Sequence, residues 1–185
     1  MSEKIFTTRF FVIVSIIFAG AFMRIIPHWP NFTPIAAIAL FGGALLGKRV
    51  LAFIIPLAAM ILADLILGFH ADMIAVYAGF ALTVLLGWSI RNKVSFGSVI
   101  TRSLAASVIF FLLTNFSSWL TMGLYPANFT GLTEAYIAGL AFFNNGSYGI
   151  SFFLNEVMGG LFFNGLFFGA FYLARLGFPS LAKAA

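Results

Sequence analysis

The chain has 185 residues, 62% of them hydrophobic and only 8% charged, with 25 Phe, no Cys and a formal net charge of +5. A soluble domain carries about 25% charged residues, so this composition excludes a soluble enzyme, a disordered tail and a disulfide scaffold. Thiolate metal sites and redox chemistry go with the missing cysteines, and the scattered basic residues form no face or run for nucleic acid. An integral membrane protein made of one domain over residues 1–185 is what the composition leaves.

A helix needs about 20 mostly apolar residues to cross a bilayer. The sequence predicts an all-α bundle of six transmembrane helices, at residues 10–26, 35–47, 50–67, 73–90, 103–123 and 148–174. Lys4 and Arg9 precede the first span, which contains Ala19-Gly20-Ala21. That pattern looks like a leader with its cleavage site, but we read the segment as a mature helix. Arg24 and His28 follow at its far end. The second span has 13 residues, roughly 20 Å of helix, so it is expected either to extend into Asn31-Phe32-Thr33-Pro34 or to sit in a thinned region of bilayer. Its Ala39, Gly43 and Gly47 recur every four positions, and Gly165 and Gly169 repeat that spacing on the last span. Small residues so spaced let helix backbones approach closely, within the bundle or against another membrane subunit.

Gly42 to Lys48 imitates a phosphate-binding loop, but Arg49 stands where a magnesium-binding Ser or Thr is required. We therefore read no nucleotide site. Asp64 lies in the last turn of the third span, with His70 and Asp72 just beyond it. Asn115 is on the fifth span and Glu134 in the long connection that follows. Residues 133–143 of that connection are too short to cross and too apolar for an open loop, which suggests a re-entrant or interfacial segment: a lid over a pocket, or a helix resting on lipid. Asn144 and Asn145 precede Gly146-Ser147, a turn and helix start, and Asn155 and Glu156 occupy the near half of the last span. Trp29 and Trp119 at one end of the spans, and Trp88 at the other, suit interfacial aromatic belts. Asn31-Phe32-Thr33 and Asn128-Phe129-Thr130 match glycosylation acceptors, a triplet common by chance.

Basic residues favour the cytoplasmic side. With the N-terminus inside, six spans bring Lys4, Arg9, Lys48, Arg49, Arg91, Lys93, Arg102, Arg175 and Lys183 to the inner face, nine of the ten Lys and Arg residues. Both termini are then cytoplasmic, and only Arg24 lies at the outer end. The polar groups beyond the cytoplasmic fringe collect in the outer half, where an ionisable residue is by default a functional-site hypothesis. Structural alternatives stand beside it: Asp64 and Glu156 pairing with Arg24, His28 and His70 as solvated loop residues, Asn144 or Asn145 as a cap.

The run Arg24…Pro27…Pro30-Asn31-Phe32-Thr33-Pro34-Ile35-Ala36-Ala37-Ile38-Ala39-Leu40-Phe41-Gly42-Gly43-Ala44 resembles the opening of a family of uncharacterised bacterial membrane proteins. That family is grouped with the substrate-binding S components of energy-coupling factor (ECF) transporters. Further similar stretches are Ala63-Asp64-Leu65…Gly68-Phe69-His70, Val76-Tyr77, Asn115-Phe116…Trp119, Tyr125-Pro126…Gly131-Leu132 and Phe142-Phe143-Asn144-Asn145. The resemblance implies an S-component-like fold in the bacterial cytoplasmic membrane, binding of a vitamin or similar micronutrient near the outer face, and docking on a transmembrane T subunit with two ATPases. Asn155-Glu156 departs from the Gly-Asp-like pair expected before the last helix.

The expected function is substrate capture for uptake of a small polar solute, with no enzymatic activity, cofactor or metal. The substrate-binding candidates are Arg24, His28, Asn31, Asp64, His70, Trp119, Asn144 and Glu156. Arg24 would meet an anionic group, Asp64 or Glu156 a cationic or hydroxyl group, and Phe69, Trp119 and Tyr125 would supply apolar wall. The partner-docking candidates are Ala39, Gly43, Gly47, Gly165 and Gly169. Two alternatives stay open: a structural or accessory subunit of a larger membrane complex, and a solitary proton-coupled carrier.

Overall fold

A computed structural model of the chain describes residues 6–141 and 151–182. Within them lie seven α-helices and no strand: α1 Thr8–Met23, α2 Ile35–Leu45, α3 Arg49–Leu67, α4 Met73–Ile90, α5 Phe96–Thr121, α6 Phe129–Ala141 and α7 Phe152–Gly177, followed by a 3-10 turn at Pro179–Leu181. Hydroxyl side chains begin several of them, accepting backbone N–H groups that the first helical turn leaves free. Thr7 Oγ1 accepts from the Phe10 N–H at 3.2 Å, and Ser151 Oγ from the Leu154 N–H at 3.1 Å. Ser95 and Ser98 form a reciprocal capping box. Gly68 after α3 (φ +91°) and Gly123 after α5 (φ +64°) turn the chain in the left-handed region, which costs glycine little.

Four helices, α3, α4, α5 and α7, are long and apolar enough to cross a membrane. The chain is an integral membrane protein, and its helices are turned accordingly. On α3 the large side chains Ile54, Leu57, Ile61 and Leu65 are exposed, while Ala52, Pro56, Ala59, Ala63 and Asp64 face inward. Small and polar inside with bulky apolar outside is how helices pack when lipid is the solvent. The sequence places the fifth span's start at Ser103; the capping box begins α5 seven residues earlier, at Phe96. Arg102 is thus a helical residue whose Nε reaches Ser89 Oγ at 3.3 Å.

The shortest apolar helix sits at the centre. All of Ala36 to Leu45 on α2 is buried, as expected of a helix that is hydrophobic on every side. It touches α1, α3, α4, α5 and α7. Its closest neighbour is α4, where two glycines face opposite carbonyls: a Cβ on Gly43 would collide with the Val84 oxygen, and one on Gly87 with the Leu40 oxygen. Phe41 lies edge-on to Phe167, Phe168 and Phe171 of α7, with centroids 5.1–6.0 Å apart. With 11 residues, α2 is about 16 Å long, roughly half the hydrocarbon thickness. It does not extend through Asn31 to Pro34, where the backbone turns and Asn31 is left-handed (φ 61°). That turn borders a cavity.

Candidate functional site

The cavity is open and has a volume of about 600 Å³, within the usual range for small-molecule sites. Six parts of the chain surround it. Asn31, Thr33 and Ile35 form its edge at the N-terminus of α2, and His70, Asp72 and Val76 come from the α3–α4 connection and the start of α4. The C-terminal half of α5 contributes Phe110, Phe111, Thr114, Asn115 and Ser118, and the α5–α6 connection adds Leu124 and Tyr125. Ala135, Ala138 and Gly139 of α6 and Phe152 and Glu156 of α7 complete it.

Helix α6 occupies most of the connection that looked too apolar for a loop. It begins four residues before the expected segment, at Phe129. It lies close on α5, since a Cβ on Gly139 would collide with Asn115 Oδ1. Tyr136 donates its hydroxyl to the Leu112 carbonyl at 2.9 Å, and its ring packs beside Phe111. The small face of α6 is therefore a cavity wall. The loop before it is pinned by Trp119, whose indole Nε1–H donates to the Pro126 carbonyl at 2.9 Å. Trp119 itself does not line the cavity.

The ionisable groups divide into two sets. Arg24 Nη2 lies 2.8 Å from Asp64 Oδ1 in a buried ion pair, and Asp64 Oδ2 accepts the Tyr77 hydroxyl at 2.6 Å. The other Arg24 nitrogen approaches the Met60 sulfur at 3.4 Å. Arg24 and Asp64 are 8% and 2% exposed and neither lines the cavity. This is the ion pair weighed as a structural alternative, made with Asp64 and not with Glu156. Such a pair ties three helices together and leaves no free charge for a ligand.

The second set faces the cavity. Asp72 is held by three hydroxyls from the end of α5, accepting from Ser117 at 2.7 Å, Ser118 at 3.1 Å and Thr121 at 3.4 Å. Glu156 projects from α7, one turn after its start. Among the described residues, no side chain is hydrogen-bonded to its carboxylate. Its neighbour Asn155 is buried and donates to the Pro30 carbonyl at 2.9 Å. The Asn-Glu pair thus splits its work between anchoring the α1–α2 turn and facing the cavity.

Of the eight substrate-binding candidates, Asn31, His70 and Glu156 border the cavity, whereas Arg24, His28, Asp64 and Trp119 do not. His28 is exposed beside the Trp29 carbonyl. Asn144 and Asn145 lie outside the described residues. Asp72, Thr114 and Ser118 border the cavity without having been candidates. A signal for the last two was present, since polar residues at 114, 118 and 121 share one face of a helix at steps of four and three. Among the docking candidates, Ala39 and Gly43 are buried in the core, and Gly47 is exposed. Gly165 and Gly169 have nothing within 4 Å of a built Cβ and face away from the bundle.

A family model described as a family of unknown function (DUF6580) matches residues 4–181. No curated protein and no solved structure matches the chain.

Proposed function

The chain belongs to DUF6580, a family of unknown function, and from its site we propose that it is a substrate-capture subunit for uptake of a small polar solute. The observation that carries this is the open 600 Å³ cavity whose wall combines polar groups, Asp72, Asn115, Ser118 and Glu156, with aromatic ones. A cavity of this kind is what solute recognition requires, and intramembrane carboxylates are costly to keep without use. We propose six spans, with the four long helices joined by α1 and α2, and both termini in the cytoplasm of a bacterial cell. Basic residues at alternate ends support that orientation. The α3–α4 and α5–α6 connections, and with them the cavity mouth, then lie on the outer side.

Energy for uptake would come from a partner, because no stretch of the chain carries a nucleotide-binding motif. A transmembrane T subunit with two ATPases fits the resemblance to S components. The outward-facing Gly165 and Gly169 of α7 offer it a close-packing surface. Two measurements test the reading together: mass spectrometry of small molecules retained by the protein extracted from its native membrane into nanodiscs, and the proteins that co-purify with it. The expected result is a single solute near one per chain, with ATP-binding subunits in the preparation. A cavity holding only lipid, in a protein found at fixed stoichiometry with non-transport subunits, would make it a structural subunit instead. Glu156, whose carboxylate meets no side-chain donor among the described residues, also favours a second reading, a proton-coupled carrier. Uptake that collapses with the proton gradient and survives loss of every ATPase module would establish it.

A further inference from the structure

Acidic side chains outnumber basic ones around the cavity. Two carboxylates, Asp72 and Glu156, border it, and among the described residues no Lys or Arg does. The basic residue closest in sequence to its edge, Arg24, is already committed to Asp64 at 2.8 Å. His70 also lines the cavity and is exposed. The two carboxylates also differ in what they still lack. Asp72 takes hydroxyl donors from Ser117, Ser118 and Thr121, so its orientation is built in. The Glu156 side chain takes none from the described residues, so that among them its carboxylate is open to a donor supplied from the cavity. Phe110, Phe111, Tyr125 and Phe152 line the same cavity, and aromatic ring faces attract cations and repel anions.

We infer that the solute taken by this cavity is an organic cation: an amine or related nitrogen base, carried on an apolar or aromatic body, with its charged end at Glu156. This rests on the capture reading and replaces the anionic group expected opposite Arg24. A carboxylate-bearing solute would meet two acidic side chains and, among the described residues, no Lys or Arg to compensate its charge, a cost that the low dielectric of a membrane cavity enlarges. A metal ion is a poor fit, since hard cations ask for six or more oxygen ligands, and this wall is largely carbon.

The absence of cysteine allows a direct test. Single cysteines are placed at Thr114→Cys, on the cavity wall, and at Ala127→Cys, in the exposed α5–α6 connection. In nanodiscs each is reacted with two thiol reagents of similar size, trimethylammonioethyl methanethiosulfonate and sulfonatoethyl methanethiosulfonate. The cation-to-anion rate ratio at position 114, divided by that at 127, is expected to be about tenfold or more, the scale of a unit charge acting over several ångströms. Adding Glu156→Gln should bring the normalised ratio to within about threefold of unity, and Glu156→Asp should keep it well above that. Equal ratios at the two positions, with both reagents entering, would overturn the cationic solute while leaving capture intact. A Glu156 that keeps its proton would give the same result, and in that case too the cationic solute is overturned. Reaction at 127 with neither reagent reacting at 114 would mean a cavity closed to water, and both inferences would fall.

Discussion

At the scale of single residues, the chain uses its few charges in two different ways. Arg24 and Asp64 are spent on each other, and removing one partner of a buried pair leaves the other uncompensated. We expect Asp64→Ala or Arg24→Ala to cost about 3–5 kcal/mol, read as a fall in thermal unfolding temperature in nanodiscs. The double replacement Arg24→Met with Asp64→Leu should recover most of that loss, because apolar residues of similar volume can replace a buried pair. If the double variant is as unstable as either single one, the pair does more than balance charge. Tyr77→Phe removes one donor to Asp64 and should cost about 1–3 kcal/mol.

The rarity of polar residues was enough to single out Arg24, Asp64, His70 and Glu156 from the sequence. It was not enough to sort them. Arg24 and Asp64 are 40 residues apart, and only the packing of α1 against α3 brings them into contact. Asp72 escaped selection for a related reason. Its place just beyond the third span carries no sign of its three hydroxyl partners, which come from α5, more than 40 residues downstream.

At the scale of helices, the same spacing of small residues has two outcomes. Gly43 on α2 and Gly87 on α4 sit against each other's backbone carbonyls; Gly165 and Gly169 on α7 sit against nothing. Gly43→Ala should therefore destabilise the fold by about 1–3 kcal/mol, the usual cost of overpacking. Gly165→Ala should stay within about 0.5 kcal/mol in the isolated protein. Thermal unfolding of the two variants compares them directly, and equal losses would mean that α7 packs where the structure leaves it open. A loss of co-purifying subunits in Gly165→Leu, with stability unchanged, would assign the face to a partner. Periodicity alone registers both sets of glycines identically, because a one-dimensional pattern carries no information about which face meets protein and which meets lipid. Element boundaries had a similar limit. The start of α5 depends on Ser95 and Ser98 finding each other, a polar contact invisible to a search for apolar runs.

For the molecule as a whole, composition and apolar runs made the all-helical membrane architecture legible. The cavity was legible only as a gathering of polar residues at one end. What could not be read was its cause. A central helix too short to cross was expected to lengthen or to thin the bilayer, but α2 does not lengthen. It stops, and the space beyond its N-terminus is bordered by Asn31, Thr33 and Ile35. Six parts of the chain could close around that space only because α2 contacts five other helices at once.

The brevity of α2 also bears on electrical work. Its 11 residues cover about 16 Å of a hydrocarbon layer about 30 Å thick. In the proposed orientation, water entering from outside therefore reaches well into the bilayer before meeting packed protein. Part of the transmembrane potential must fall across the cavity rather than beneath it. A monovalent cation moving from the mouth to Glu156 would then cross roughly half of that drop, gaining on the order of 1 kcal/mol per 100 mV, negative inside. In proteoliposomes carrying Thr114→Cys, imposing such a voltage should speed the trimethylammonium reagent several-fold and slow the sulfonate one. Rates indifferent to voltage would put the cavity outside the field. A cell's resting potential would otherwise help to load the protein before any ATP is spent.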